Sequence, residues 1–202
     1  MKIEKIVQTL QKRYKIRLWK RKPFRVLISC ILSQRTKDEI TRDASKRLFK
    51  IADSPEKILK LSERKIAELI KPVGFYNQKA KRIKEVVKII LEKYGGRVPS
   101  SREELMKLPG VGGKTADVVL CYGFGKEVIP VDTHVATISR RLGLTKSKDP
   151  EKIRKDLHRI MPKRYRRIFN LLMVEFGKEV CRTRKPKCRI CPIKDYCPSK
   201  ST

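Results

Sequence analysis

The sequence has few acidic residues, no long apolar run and almost no cysteine before its last few dozen residues. No stretch is both uncharged and long enough to span a membrane or to act as a secretory signal, so we expect a soluble, intracellular protein. The alternation of apolar and polar residues that marks half-buried strands does not recur, and no internal repeat is present. These absences exclude repeat architectures and leave helical folds favoured.

The scarcity of acidic residues is matched by an excess of basic ones. The chain has 52 Lys and Arg against 21 Asp and Glu, a net charge of +31, spread through the whole sequence. Counterion release from a nucleic-acid backbone favours binding by such a surface, whereas the unbound protein repels itself. The composition therefore predicts a nucleic acid as the partner.

Helical periodicity recurs along the chain and predicts an all-α fold. Apolar positions at helical spacing predict a first helix around Ile3 to Leu10, a nearly all-apolar central helix from Pro23, and a long helix through Ala80 to Leu91 that Gly95 ends. Ser54 before Pro55, and Ser101 with Glu104, are typical helix starts. Later helices are predicted over 114–122, 133–142, 151–160 and 163–177.

Four cysteines near the end of the chain form the first candidate site. Six, two and five residues separate Cys181, Cys188, Cys191 and Cys197, so short loops can bring the four thiolates to one metal centre. Their spacing alone leaves zinc and an iron–sulfur cluster equally favoured, because only Cys188 and Cys191 form a Cys-x-x-Cys pair. Disulfides are disfavoured, since Cys30 and Cys121 lie in apolar helical stretches, as reduced buried thiols do.

The second candidate site is the glycine-rich segment from Leu108 to Leu120, which follows one predicted helix and starts another. Gly110 and Gly112 are expected to adopt backbone angles closed to other residues, so that amides of the following helix face a phosphate. A nucleotide-binding P-loop is excluded, because its first glycine would fall at Leu108 and because a helix, not a strand, precedes it. An ordinary helix–turn–helix corner stays open on this pattern alone.

Four segments together resemble the endonuclease III family of DNA glycosylases, in the helix-hairpin-helix superfamily. They are the hairpin Leu108-Pro-Gly-Val-Gly-Gly-Lys-Thr-Ala, the segment Val131-Asp-Thr-His134, the turn Gly74-Phe-Tyr-Asn-Gln-Lys-Ala80, and the cysteine loop Cys181 to Cys197. Their order and spacing match the family over nearly the whole chain.

The resemblance implies two helical domains with a DNA-binding cleft between them. Residues 21–130 would form a six-helix domain that contains the helix-hairpin-helix, and residues 1–20 with 131–202 a discontinuous cluster domain. It also implies that Cys181, Cys188, Cys191 and Cys197 hold a [4Fe-4S] cluster, which resolves the choice that spacing leaves open.

The activity implied by the resemblance is that of a bifunctional DNA glycosylase and AP lyase of base excision repair. Lys114, directly after the hairpin, would attack the sugar of a flipped nucleotide, form a Schiff base and cleave the strand by β-elimination. An amine attacks only when unprotonated, a state that burial and neighbouring cations favour. Asp132 would stabilise the sugar cation and assist proton transfer, and its position also predicts the N-cap of a helix. Oxidised pyrimidines such as thymine glycol are the implied substrates.

Contacts to DNA are expected from three regions. Gly110, Val111, Gly112 and Gly113 would hold the DNA backbone, and Arg184 and Lys185 in the cysteine loop would bind phosphate. Family members often fill the gap left by the flipped base with glutamine; here ungapped alignment gives Arg35, with Gln34 one place earlier. Phe75 would stack into the opposite side of that gap, although a core aromatic is an equally favoured interpretation.

Two other functions remain on the sequence. A monofunctional glycosylase for thymine or uracil opposite guanine is disfavoured by Lys114, because such enzymes activate water and generally lack lysine at this position. A non-catalytic DNA-binding protein is disfavoured by the joint presence of Lys114 and Asp132. We expect a monomer that binds damaged or abasic duplex DNA in the cytoplasm, at the nucleoid if the source is prokaryotic, and that does not bind membranes.

Overall fold

The computed structural model of the chain describes residues 2–18 and 21–200, and in these ranges all regular structure is helical. The α-helices are α1 Lys2–Arg13, α2 Pro23–Ser33, α3 Asp38–Ile51, α4 Pro55–Lys60, α5 Glu63–Ile70, α6 Tyr76–Tyr94, α7 Arg102–Met106, α8 Gly113–Val118, α9 Thr133–Arg141, α10 Pro150–Ile160 and α11 Lys163–Glu179. A π-helical turn, Val119–Gly123, continues α8, and two 3-10 turns, Cys188–Ile190 and Lys194–Tyr196, follow α11. The prediction of an all-α fold is confirmed.

The chain forms two compact units. One is continuous, Lys20–Phe124, and contains α2 to α8; the other joins Met1–Trp19 to Gly125–Thr202 and contains α1 and α9 to α11. The domain limits inferred from the sequence, 21–130 and 1–20 with 131–202, stay a prediction.

Helix α2 lies at the centre of the continuous unit. Its apolar residues, among them Leu27, Ile28 and Ile31, are fully buried, and it packs against α3, α6, α8 and the π-helical turn. The turn approaches α2 very closely, since a Cβ on Gly123 would lie 2.9 Å from the Cα of Pro23. The central place that its apolar sequence predicts for α2 is confirmed.

The predicted helix starts and stops agree with the structure, with one exception. The side chains of Ser54 and Ser101 accept hydrogen bonds from amides of the first turn of α4 and α7, and α6 ends at Gly95 in the left-handed region, φ 56°. The exception is Glu104, whose carboxylate accepts hydrogen bonds from Tyr94 and Lys107 instead of closing the capping box on Ser101.

The sequence patterns do not predict α3 and α5. The buried face of α3 consists of Thr41, Ala44, Ser45 and Leu48, so only one large apolar side chain marks it. Helix α5 has only eight residues, and the side chain of its N-cap, Ser62, accepts a hydrogen bond from the amide of Lys65 at 3.1 Å. Helix α3 packs on α2, and α5 packs on α6 and buries Ile66, Ala67 and Ile70.

The discontinuous unit has its own core, to which both ends of the chain contribute. Helix α1 packs against α11, and α9 packs against α10 and α11. The side chains of Ile6 and Leu10 from α1 are buried in one cluster with Phe169 and Phe176 from α11. Burying aromatic and aliphatic side chains of this size contributes about 1.5 to 3 kcal/mol each.

In the part of the chain that the structure describes, no helix is both long enough and apolar enough to cross a membrane.

Candidate functional site

The glycine segment forms a tight turn between α7 and α8. Gly110 adopts φ 74°, a backbone angle that favours glycine, and a Cβ at this position would lie 2.5 Å from Cδ of Arg82 and would displace that side chain. Gly112 adopts φ −93°, which other residues adopt readily, and a Cβ there would meet open space. The expectation of unusual backbone angles is therefore right for Gly110 and wrong for Gly112, where the missing side chain leaves an open approach to the backbone.

The turn is held from inside by Val111 and by an ion pair. The Val111 side chain is buried, and its amide donates to the carbonyl of Leu108 at 3.1 Å. Nε of Arg102, at the start of α7, lies 3.2 Å from Oδ1 of the buried Asp117 in α8. A buried carboxylate needs such a partner, and the pair fixes the two helices against each other.

Lys114 is the second residue of α8, and its side chain is exposed. Behind it lies Cys30 of α2, close enough for the charge of Lys114 to act on the thiol. Burial raises the pKa of Cys30 to about 12, and Lys114 only partly opposes that rise, so the thiol stays neutral near pH 7. The amine therefore stands at the surface directly after the hairpin.

The two candidate gap-filling loops lie side by side in the continuous unit. Arg35 is exposed at φ 51°, and its guanidinium carbon lies 6.0 Å from the centre of the Phe75 ring. Phe75 is 57% exposed at φ 58°, so the core-aromatic interpretation of this residue is wrong. Two neighbouring non-glycine residues in the left-handed region are uncommon, and such backbone strain is concentrated at functional sites.

Gln34 differs from Arg35 because its side-chain amide is already bound. Nε2 donates to the carbonyl of Gly110 at 2.9 Å, and Arg82 lies 3.5 Å from Oε1. Gln34 therefore joins the loop after α2 to the hairpin. Neither this link nor Arg82 is indicated by the sequence pattern.

Lys79 is a further residue that the sequence analysis missed. It lies in the first turn of α6, is 3% exposed, and lines one pocket with Gln34, Arg35 and Phe75. Its Nζ donates to the main-chain carbonyls of Leu32, at the end of α2, and of Gln34, in the loop after it. The only signal in the sequence is a lysine at an apolar-face position of α6, three residues before Arg82.

Asp132 is the N-cap of α9, as predicted: its Oδ1 accepts a hydrogen bond of 2.8 Å from the amide of Val135. The segment before it is fixed on two sides. His158 accepts a hydrogen bond of 3.0 Å from the amide of Ile129, and Asn170 donates one of 3.1 Å to the carbonyl of Pro130. His158, which belongs to none of the sequence motifs, therefore helps to hold the segment that leads to Asp132.

His134 packs tightly on α11. A Cβ on Gly177 would lie 2.3 Å from Nδ1 of His134, so α11 requires glycine at the point where the imidazole approaches it. His134, the last residue of the segment that contains Asp132, therefore contributes to packing on α11.

The four cysteines Cys181, Cys188, Cys191 and Cys197 line one pocket, together with apolar side chains of α9, α11 and the loop. Burial raises the pKa of the Cys181 thiol, and a hydrogen bond from Arg141 at 3.4 Å opposes that rise. Among the described residues, no group of three or more His, Cys, Asp or Glu is placed to hold a single metal ion. Four soft sulfur donors around one apolar pocket fit a sulfur-ligated cluster by their chemistry.

Arg141 holds the cysteine loop to α9. It donates to the carbonyls of Arg182 at 2.8 Å and Thr183 at 2.9 Å, and these precede two candidate phosphate-binding residues, Arg184 and Lys185. Both side chains are exposed, and Lys185 adopts φ 52°. Arg141 therefore holds the backbone of the loop, and the side chains of Arg184 and Lys185 are exposed to solvent.

Comparison with known proteins now defines the class. The profile described as "HhH-GPD superfamily base excision DNA repair protein" matches residues 28–163, and the chain belongs to that superfamily. The match contains the hairpin, Lys114 and Asp132 and ends before the cysteine loop.

More specific similarity is to endonuclease III. The chain is 47% identical over 195 residues to endonuclease III of Thermotoga maritima, covering 96% of this chain and 92% of that protein. For endonuclease III of Bacillus subtilis the identity is 39% over 176 residues, covering 87% and 80%. The resemblance to the endonuclease III family is confirmed, and the chain is a DNA glycosylase and AP lyase of base excision repair.

Solved structures agree with the fold. A trapped covalent intermediate of endonuclease III with DNA has a TM-score of 0.88 at 34% identity, covering 99% of this chain and 97% of that one. A thermostable thymine-DNA glycosylase has a TM-score of 0.89 at 29% identity, covering 98% and 96%. The fold of this chain is thus similar to those of an endonuclease III and of a thymine-DNA glycosylase.

Proposed function

We propose that the enzyme removes oxidised or ring-saturated pyrimidines, such as thymine glycol, from duplex DNA and then cleaves the strand, with Lys114 as the nucleophile. The observation that carries this proposal is the exposed amine of Lys114 in the first turn of α8, directly after the glycine hairpin. Residues that only bind phosphate do not need this placement, since more than fifty other basic side chains supply charge.

The chemistry that we propose begins once the damaged nucleotide is flipped out of the duplex, because its sugar is unreachable in the stack. The unprotonated amine of Lys114 attacks C1′, and the glycosidic bond breaks as the base departs with its electron pair and acquires a proton. Loss of the amine proton and opening of the sugar ring give an imine. Removal of a C2′ proton then expels the 3′ phosphate, which cuts the strand, and water finally hydrolyses the imine.

Asp132 is proposed to stabilise the positive charge that develops on the sugar and to assist the proton transfers. Its carboxylate is fixed in orientation because Oδ1 is engaged as the N-cap of α9. The hydrogen bonds from Ile129 to His158 and from Asn170 to Pro130 support the same segment. Capping and catalysis are compatible functions for one carboxylate, since the cap uses one of two oxygens.

Arg35, rather than Gln34, is proposed to fill the gap left by the flipped base, with Phe75 stacking beside it. Support comes from the exposure of Arg35 and Phe75 and from the engagement of Gln34 by Gly110. A planar guanidinium and an aromatic ring can both stack on bases.

The DNA backbone is proposed to bind at the hairpin and at the cysteine loop. Gly112 and Gly113 leave the start of α8 open to a phosphate, Gly110 allows the turn, and Val111 holds it from inside. Arg184 and Lys185 would hold a second phosphate. We further propose that the protein acts as a monomer in the cytoplasm, on damaged or abasic duplex DNA.

The cofactor is proposed to be a [4Fe-4S] cluster held by Cys181, Cys188, Cys191 and Cys197. The four thiols around one apolar pocket support it, as does the hydrogen bond from Arg141 to the Cys181 sulfur. A bound cluster would hold the cysteine loop rigid, and no step of the reaction above needs it.

A second candidate for the substrate is thymine or uracil opposite guanine, favoured by the similarity to the thermostable thymine-DNA glycosylase. Duplexes that each carry one defined lesion, including thymine glycol, and duplexes with thymine or uracil opposite guanine test the choice. We expect excision of thymine glycol together with strand cleavage. Excision of mismatched thymine that leaves the strand intact would contradict the proposal.

A further inference from the structure

The ammonium group of the buried Lys79 uses all three of its hydrogen-bond donors at the end of α2 and in the loop that carries Arg35. Its Nζ donates to the carbonyls of Leu32 at 2.8 Å and Gln34 at 2.5 Å, and to Oγ1 of Thr36 at 3.1 Å. A lysine ammonium has three donors, and these three acceptors match them. The side chain reaches from α6 into the end of α2.

The place where Lys79 binds is the C-terminus of α2. The last carbonyls of a helix lack partners within the helix and carry partial negative charge, so a cation is favourable there. Lys79 thus acts as a C-terminal cap that a different helix provides. The last turn of α2 and the loop after it therefore depend on α6 for their conformation.

The cation is costly to keep in this position. Burial, and secondarily the charge of Arg82, lower the pKa of Lys79 to about 8 from the ordinary value of 10.5. The charged groups that face the same pocket, Arg35 and Arg82, are both cations. An apolar side chain of similar length would fill the space without this penalty, so packing alone does not account for a lysine here.

The residues that Lys79 binds flank Arg35 on both sides. Thr36 also donates from Oγ1 to the Gln34 carbonyl at 3.2 Å, which closes a ring of hydrogen bonds around the exposed arginine. The carbonyl of Arg35 lies against the other loop, since a Cβ on Gly74 would be 3.1 Å from it. Holding the residues before and after Arg35 is a direct way to keep it at φ 51°.

We propose that Lys79 is a positioning residue for lesion recognition: its ammonium fixes the loop after α2 so that Arg35 is presented beside Phe75 before DNA binds. This inference rests on the proposed gap-filling by Arg35. Because all three donors of Lys79 are bound within the protein, we expect it to act through the loop and to leave the chemistry of Lys114 unchanged. A loop fixed in advance lowers the ordering cost of binding DNA with a flipped nucleotide.

The chain offers a matched control for this inference. Lys84, five residues further along α6, donates from Nζ to the carbonyls of Leu59 at 2.6 Å and Leu61 at 2.8 Å, at the end of α4. It makes the same kind of cap, from the same helix, on an element without a gap-filling residue. Lys79→Met and Lys84→Met each remove hydrogen bonds from an ammonium to two main-chain carbonyls, and we expect only the first to affect the proposed function.

The experiment measures binding to a duplex with a tetrahydrofuran abasic analogue, which undergoes no cleavage, and to the undamaged duplex. For Lys79→Met we expect the affinity for the abasic-analogue duplex, divided by that for the undamaged duplex, to fall about tenfold or more. The affinity for the undamaged duplex should stay within about twofold of the parent. Lys84→Met should leave the ratio unchanged. At saturating protein, Lys79→Met should form as much borohydride-trapped cross-link with a natural abasic-site duplex as the parent does. If the parent itself gives no cross-link, the Lys114 mechanism is wrong, but the inference about Lys79 is not affected.

Equal affinity ratios in Lys79→Met and Lys84→Met would overturn the inference, as would equal losses for both duplexes in Lys79→Met. If Lys79→Met does not fold, as judged by thermal melting, Thr36→Val decides. It removes one acceptor of Lys79 at the partly exposed loop, and we expect a ratio lowered about threefold. An unchanged ratio in Thr36→Val would then reject the proposal.

Discussion

The side-chain amide of Gln34 donates a hydrogen bond of 2.9 Å to the main-chain carbonyl of Gly110. This contact joins the loop after α2 to the turn of the hairpin, and it occupies the side chain that the sequence alone leaves as a candidate for the gap. Arg35, the next residue, is left exposed beside Phe75. The two neighbouring residues should therefore differ in how their loss affects DNA binding.

Arg35→Ala is expected to lower affinity for the abasic-analogue duplex by about tenfold while changing undamaged-duplex affinity by about twofold at most, because only a duplex with a gap uses the side chain. Gln34→Ala should weaken binding to both duplexes to a similar degree, since it removes support from the hairpin. Fluorescence anisotropy titrations with the two duplexes measure these changes. A selective loss in Gln34→Ala, with none in Arg35→Ala, would reverse the assignment.

Gly110→Ala and Gly112→Ala are expected to have opposite effects on folding and binding. At Gly110 the left-handed φ of 74° and the nearby Arg82 side chain should cost about 1 to 3 kcal/mol of unfolding free energy. At Gly112 the new methyl group meets open space, so the cost should stay below about 1 kcal/mol. The same methyl would obstruct a phosphate, and duplex affinity should fall about tenfold.

Chemical denaturation and duplex titrations of the two glycine variants provide the measurements. Normal DNA affinity in a well-folded Gly112→Ala would show that no phosphate approaches this part of the backbone.

The candidate site could be predicted from sequence only where one segment carries both chemistry and position. Lys114, Asp132 and the four cysteines stand in compact motifs, and the caps at Ser54, Ser101 and Asp132 follow from local rules. Lys79, Arg82 and Asn170 have no such motif, because their partners lie 40 or more residues away in the chain. Helix α3 escapes detection for a related reason, since small polar residues form its buried face.

Lys79 should give the protein a measurable pH dependence of stability. Its pKa in the folded protein is about 8, below the ordinary lysine value of 10.5, because burial and the charge of Arg82 disfavour the ammonium form. Between these two pH values the unfolded chain binds more protons than the folded one, so the free energy of unfolding rises with pH. The stability gained from deprotonation of Lys79 in the folded protein is fully present above pH 10.5, and it is lost as the pH falls to about 8.

Denaturation of the parent and of Lys79→Met at about pH 7.5 and about pH 10 isolates this contribution. The stability of the parent relative to the variant should increase with pH. A difference that is constant or decreases over this range would show that the pKa of Lys79 is not lowered.

Anaerobically purified protein is expected to contain iron and sulfide, each close to about four per chain, and to be brown. Cys188→Ala should lose most of the iron and should weaken duplex binding, because the loop that carries Arg184 and Lys185 would no longer be held at its base. Cys121→Ala is the control, since that thiol is buried in the other unit, in the π-helical turn. Stoichiometric zinc without iron would contradict the cluster assignment.

The central claim is that Lys114 forms an imine with the sugar of a damaged nucleotide, and borohydride trapping on an abasic-site duplex tests it most directly. The control is Lys107→Ala. Lys107 is an exposed lysine just before the hairpin turn, and its Nζ lies 2.6 Å from Oε1 of Glu104. The parent and Lys107→Ala should give a protein–DNA cross-link, whereas Lys114→Ala should give none and should not cut the strand. Undamaged-duplex affinity of Lys114→Ala should stay within about twofold of the parent, because one cation contributes little to the total attraction. A cross-link or parental strand cleavage by Lys114→Ala would contradict the mechanism.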